Sequence, residues 1–241
     1  MALPATASLP QSGSIVSRWK LDEASGSRAD NVGSNTLTDN NTVASAAGQF
    51  STTAADFEDT NSEYLSITDG SQSGLDITGN LSMFTWVNVE SDPVGFTYSF
   101  MAKHKTTTND RGYAFGYEDP KELFLNISSN GSGVTSKIQS QTLTTGTWFH
   151  VGCVYTAAAG SVSFYVNGSQ VGSTQTGLPT SIFNNASDFC LGAYGNPAIY
   201  YDGMMQDAII WSVALTGSEV TSLYNAYFAS PTKTLAALGV G

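Results

Sequence analysis

Carboxylates, two histidines and a knot of tyrosines are the side chains of this 241-residue chain that could do chemistry. General acid–base work needs two carboxylates facing one space, and along a strand residues i and i+2 share a face. Glu90-Ser91-Asp92 has that spacing but stops at Pro93, where a strand ends. Glu118, Asp119 and Glu122 flank Pro120 and read as a turn. His104 lies between Lys103 and Lys105 and is expected in solvent. His150, inside WFHVGCVY, is expected to be a packed side chain. No G-x-S-x-G, C-x-x-C or phosphate-loop pattern occurs in the sequence. The residue types therefore point away from catalysis.

Tyrosines suggest recognition instead. Tyr194, Tyr200 and Tyr201 cluster with Asn196 and Asp202. Flat rings lie well against sugar faces, and amides and carboxylates bond hydroxyls. Tyr194, Asn196, Tyr200 and Tyr201 are thus candidate ligand-binding residues, with Tyr113 and Tyr117 as further candidates. For the Tyr200-Tyr201 pair, core or interface packing is the competing expectation. Asp207 stands inside the apolar run Met205–Trp211, where a carboxylate is costly unless it is paired or coordinated.

The elements that must position these groups are mostly strands. Alternation predicts strands over 15–21, 81–89, 98–103, 113–117, 123–128, 137–143, 148–155, 161–166, 170–175, 189–193 and 204–211, with a strand pair in 54–68 around a turn at 59–62. Residues 22–41 read as a long polar loop. Asn167-Gly168 predicts a type I′ hairpin turn, which needs positive φ at both positions. Thr216 and Glu219 form a capping box, and Val220, Leu223, Tyr224 and Tyr227 give one apolar stripe on a short helix. About a dozen strands and one helix predict an all-β, two-sheet antiparallel jelly-roll sandwich with one short C-terminal helix.

Composition agrees. Charged residues make up 12% and aromatics 11%, and the net charge is −11. So few basic residues argue against nucleic acid as a partner. No run reaches the length of a membrane span, so no membrane insertion is expected. No cleavable signal peptide is visible at the N-terminus. Cys153 and Cys190 lie in apolar runs and read as two buried thiols or one disulfide.

Several short patterns occur in one order: Trp19-Lys20-Leu21-Asp22-Glu23 with Gly26 and Asp30-x-x-Gly33; Phe57-Glu58-Asp59 with Glu63-Tyr64-Leu65; Phe84-Thr85-Trp86-Val87; Gly146-Thr147-Trp148-Phe149-His150-Val151; Phe164-Tyr165-Val166-Asn167-Gly168; Leu191-Gly192; and Asp202 to Glu219. From Ile15 to Tyr227 the chain resembles laminin G-like, concanavalin A-like jelly rolls, with a C-terminal signature like that of pentraxins. It departs where Asp59 replaces a usual Gly and where the gap before Trp86 is short. The resemblance implies a module that binds ligands and seldom catalyses. The paired acids of related glucanases, E-x-D-x-E, are missing from the sequence. It also implies a structural calcium, with Asp207 as one ligand and Asp22, Asp30 and Asn35 as its partners, Asp59 being a further donor. A pentraxin-type ligand calcium would need acids after Leu191-Gly192, and that loop has none.

Flanking arms at 1–13 and 230–241 bracket a single domain at 14–229. Leu235–Val240 could add a strand to a neighbour's sheet edge, or the arms could fold back on their own domain. The leading expectation is a non-enzymatic subunit of a virion or other extracellular assembly, self-associating through these arms. The alternative is a calcium-stabilised, carbohydrate-binding adhesion module. A hydrolase with an unusual site ranks last.

Overall fold

The computed structural model describes residues 2–50, 53–95, 97–194 and 199–229. Fifteen strands occur among them: β1 (Ile15–Trp19), β2 (Thr38–Asn40), β3 (Ala44–Ala47), β4 (Thr53–Phe57), β5 (Tyr64–Ile67), β6 (Leu81–Val89), β7 (Thr97–Lys105), β8 (Asp110–Glu118), β9 (Glu122–Ile127), β10 (Thr135–Ser140), β11 (Trp148–Thr156), β12 (Ser161–Val166), β13 (Ser169–Thr176), β14 (Phe189–Leu191) and β15 (Gly203–Trp211). One α-helix, α1 (Gly217–Ala226), follows. The two-sheet sandwich is as expected.

The first sheet runs β13-β12-β11-β6-β15-β4-β3, with β1 also pairing to β15; the second runs β10-β9-β8-β7-β14-β5-β2. All pairings are antiparallel. Alternation sends one face of each sheet into a shared core that holds Trp19, Phe57, Val87, Phe100, Phe115, Leu125, Phe164 and Tyr201. The outer face of the first sheet carries a second apolar layer. There Val220 and Leu223 of α1, with Tyr227 just past its end, lie over Phe84, Trp86, Ile209 and Trp211.

Two local readings hold in detail. Thr216 accepts from the Glu219 amide at 3.3 Å, and the Glu219 carboxylate accepts from the Thr216 amide at 2.7 Å. Asn167 and Gly168 have φ of 50° and 77°, as a type I′ turn requires.

Two readings need correction, and the N-terminal arm takes the second of its two alternatives. The segments at 53–57 and 64–67 are not a hairpin, because β4 pairs with β15 while β5 pairs with β14 in the other sheet. The loop read over 22–41 contains β2, and β3 follows it. The N-terminal arm does not reach outward. Leu3 and Leu9 join the apolar layer under α1. Trp211 Nε1 donates to the Pro10 carbonyl at 3.0 Å and Gln11 Nε2 to Glu219 at 2.6 Å. The C-terminal arm at 230–241 lies outside the described residues apart from its link at 229.

Candidate functional site

Registers across the second sheet bring seven small or polar residues into one row. Thr38, Ser66, Cys190, Ala102, Ala114, Asn126 and Ser136 are successive cross-strand partners from β2 to β10. Their strand neighbours Leu65, Leu191, Met101, Phe115 and Leu125 belong to the core, so the row itself faces outward. The two central alanines, with Phe124, form a small apolar floor on which Tyr194 packs.

At one side of this floor the polar groups converge. Asn126 Nδ2 donates to the Tyr194 hydroxyl at 2.9 Å, and that hydroxyl lies 3.2 Å from His104 Nε2. The Tyr194 and His104 rings are 4.7 Å apart. Asn126 Oδ1 and His104 Nδ1 are shielded from solvent and have no hydrogen-bond partner. Shielded in this way, the two atoms are closed to a ligand arriving at the surface. Burial, with the nearby Arg111 guanidinium, lowers the His104 pKa to about 4. Burial raises the Tyr194 phenol, and Asn126 opposes that rise. The group is therefore uncharged near neutrality.

Tyr200 borders the same face. It is half-buried, its ring is 6.0 Å from that of Tyr64, and its backbone bridges Ala193. Asn196 lies outside the described residues. Tyr201 is a correction. It is fully buried among Phe57, Tyr98 and Phe100, and its hydroxyl donates to the carbonyls of Asn88 and Met204 at 3.0 and 3.2 Å. Tyr113 and Tyr117 are core residues too, bonded to the Leu75 carbonyl and the Leu143 amide. His104 is not solvated, being wholly buried. Reading the strands would have found it: β7 and β9 alternation puts His104 and Asn126 on the outward face with Ala102 and Phe124.

The residues named for calcium do not share a site. Asp207 sits at a β-bulge of β15 with φ of 53°, between Gln206 and Ile209, where the register to β6 slips. There it meets a protein cation. Arg18 Nε and Nη2 reach its two oxygens at 2.7 and 2.8 Å, and the Tyr227 hydroxyl donates to Oδ2 at 2.7 Å. Of the two outcomes open to a carboxylate in an apolar strand, it is paired. That corrects its reading as a metal ligand. Burial works against the Arg18 charge, but the attraction of Asp207 leaves the guanidinium pKa raised. Asp30 and Asn35 do come together, at 3.1 Å, yet Asp30 accepts backbone amides and the Asn35 amide is engaged by Ser17 and Ser73. Asp22 is exposed, and its carbonyl accepts from Thr53.

A different acidic group was not foreseen. Carboxylate oxygens of Asp56, Glu58 and Glu90 lie within 4.8 Å of one another. Asp202, whose carbonyl accepts from the Glu90 amide at 3.1 Å, stands between their strands. Burial first, then mutual repulsion with Asp202, raises the pKa of Asp56 and of Glu58; for Glu90 burial is followed by Asp56 and Asp202. Asp56 and Glu58 stand two apart at the end of β4, Glu90 follows β6 and Asp202 precedes β15, so only the pairing of these strands brings the group together.

His150 is packed, as expected, within a cage of Phe84, Trp86, Tyr224 and Tyr227. Burial lowers its pKa to about 3. Cys153 and Cys190 are free buried thiols, one in each sheet. Among the described residues no helix is long and apolar enough to cross a membrane.

Comparison with known proteins supplies the wider context. No curated protein matches the sequence. Among solved structures, domain 4 of AbnA, a GH43 extracellular arabinanase from Geobacillus stearothermophilus solved with arabinotriose, superposes with a TM-score of 0.65 at 21% identity, covering 87% of this chain and 98% of that one. The binding domain of Paraclostridial Mosquitocidal Protein 1 gives 0.65 at 16% identity, covering 90% and 53%. That of botulinum neurotoxin DC, in complex with rat synaptotagmin II, gives 0.66 at 13%, covering 89% and 52%. The chain thus spans about half of each toxin binding domain. At these identities the likeness shows the fold alone. The match that reaches further is over residues 59–221, and by it the chain belongs to the laminin G type family of the concanavalin A-like lectin/glucanase superfamily.

Proposed function

We propose that this chain is a non-catalytic glycan-binding module whose site is the outer face of the second sheet around Tyr194. The observation that carries the reading is the Asn126–Tyr194–His104 cluster. It holds one half-buried tyrosine ring and one half-buried amide together on the outer face of the sheet. A sugar needs both parts, with a C–H face against the ring and hydroxyls against the amide. The arabinotriose bound to the similar arabinanase domain supports the ligand class. Placement outside the cell accords with such a ligand.

Assembly as a subunit of a virion or other polymer has lost one of its supports, since the N-terminal arm is spent on its own domain. The test of the glycan reading is titration calorimetry of the chain against arabino-oligosaccharides and a broader glycan panel. Saturable binding that N126A and Y194A remove is the expected result. Binding that both variants retain would move the site elsewhere.

A further inference from the structure

A half-buried tyrosine ring meets a half-buried amide twice on the outer face of the second sheet. The first meeting is Tyr194 with Asn126, over β7 to β9. The second lies on the far side of β14. Tyr64 of β5 precedes the core residue Leu65, so it stands on the outward face with Ser66 at the other side of that leucine. Its ring is 6.0 Å from that of Tyr200, and both are half-buried. Asn40 of β2 is the cross-strand partner of Tyr64. Asn40 Nδ2 donates to the carbonyls of Thr38 and Tyr64 at 3.1 and 3.3 Å and to Ser66 Oγ at 3.0 Å. Carbonyls only accept, so the nitrogen end of this amide is fixed and Oδ1 remains an acceptor. That Oδ1 has no partner among the described residues and is open to solvent.

One stretch of chain places both rings. Ala193 pairs with Tyr200, and the Tyr194 amide donates to the Ile199 carbonyl at 3.5 Å. Beyond β14 the chain thus sends Tyr194 toward β9 and Tyr200 back toward β5. In the order β9-β8-β7-β14-β5-β2, Asn126 and Asn40 are separated by five strand spacings, about 24 Å along the sheet. One sugar ring cannot reach both. Sugars joined in a chain can, and the second platform is then engaged without a second loss of translational freedom.

We propose that the ligand is a stretch of oligosaccharide lying across the strands from β9 to β2, recognised along its length and not at one terminal sugar. The proposal rests on the glycan-binding reading of the Tyr194 face. Calorimetry of the full chain against arabino- and gluco-oligosaccharides, from the disaccharide to the hexasaccharide, tests it. Affinity should rise at least about tenfold over the series, the effect of one ring contact or hydrogen bond of ordinary strength. Tyr200→Ala and Asn40→Ala, each checked for an unchanged melting curve, should remove this gain, so that all lengths bind alike. The series on the unaltered chain needs no variant. A rise of only a few-fold, which the extra registers of a longer chain give to any site, would overturn this inference and leave glycan binding standing. So would a tenfold rise that both variants keep. Failure of every sugar to bind would remove the glycan-binding reading itself.

Discussion

Arg18 and Asp207 meet as a two-pronged ion pair, both fully buried and 189 positions apart in the chain. Tyr227 adds a third bond to the same carboxylate. First strand, last strand and helix are thereby joined at one carboxylate. Removing one partner of a buried pair strands the other charge and costs about 3–5 kcal/mol. Asp207→Ala and Arg18→Met are each expected to lose that much in urea unfolding. Asp207→Asn with Arg18→Met should lose less than the sum, because no charge is left alone and asparagine tolerates the positive φ.

Tyr194 and Tyr201 should separate binding from stability. Tyr201→Ala empties a core site and removes two hydrogen bonds to carbonyls, so a loss of about 3–5 kcal/mol is expected. Tyr194→Ala lies on the outer face and should leave the melting temperature within a few degrees while abolishing sugar binding. Thermal melts run beside calorimetry read both effects. A reversed pattern would refute the assignment of the two residues.

His104 and His150 make the fold sensitive to acid. Their folded pKa values, about 4 and about 3, lie below the ordinary histidine value of 6.5. A lowered histidine pKa gives stability that is present above the unfolded value and lost as pH falls toward the folded one. Each pH unit in that window costs about 1.4 kcal/mol per histidine. His150→Phe keeps the aromatic cage without the titration. Its urea midpoint should fall less steeply than the parent's below pH 6.

The acidic cluster has the opposite sign. Asp56, Glu58 and Glu90 have raised pKa values. Raised carboxylates give stability that is present below their unfolded pKa and lost as pH climbs through the folded one. Glu90→Gln should raise the melting temperature slightly at pH 7, where repulsion is relieved, and leave it unchanged near pH 4. An equal shift at both pH values would show that the repulsion is not felt.

Much of the fold was legible because most core strands alternate strictly and because turns and caps have chemical signatures. Thr216 with Glu219 and Asn167 with Gly168 are local devices, complete within a few residues. β2 and β3 escaped because Thr-Asp-Asn and Ala-Ser-Ala-Ala have no apolar alternation to read. The site was half legible. Tyr194 and Tyr200 do border it, but adjacent residues of an extended chain face opposite ways, so Tyr201 had to turn inward. His104 was misjudged from its lysine neighbours. Lys103 is itself buried, held by Asp69 and Asp76 at 2.6 and 2.9 Å. Only the pairing of β7, β8 and β9 brings His104 and Asn126 within reach of one tyrosine, and sequence spacing carries no trace of that.

β1 and β4 share one side of β15, one on either flank of the bulge at Asp207. During synthesis β1 must therefore wait, while β4 has only β3 beside it. The first strand has no partner in its sheet until the residues around 208–211 have been made, so the N-terminal third of the chain spends translation with open edges. Contacts this distant are slow to close. A short β1 whose register is broken between Ile15 and Ser17, and which carries an arginine, is a poor template for pairing with other chains, which protects the molecule over that interval.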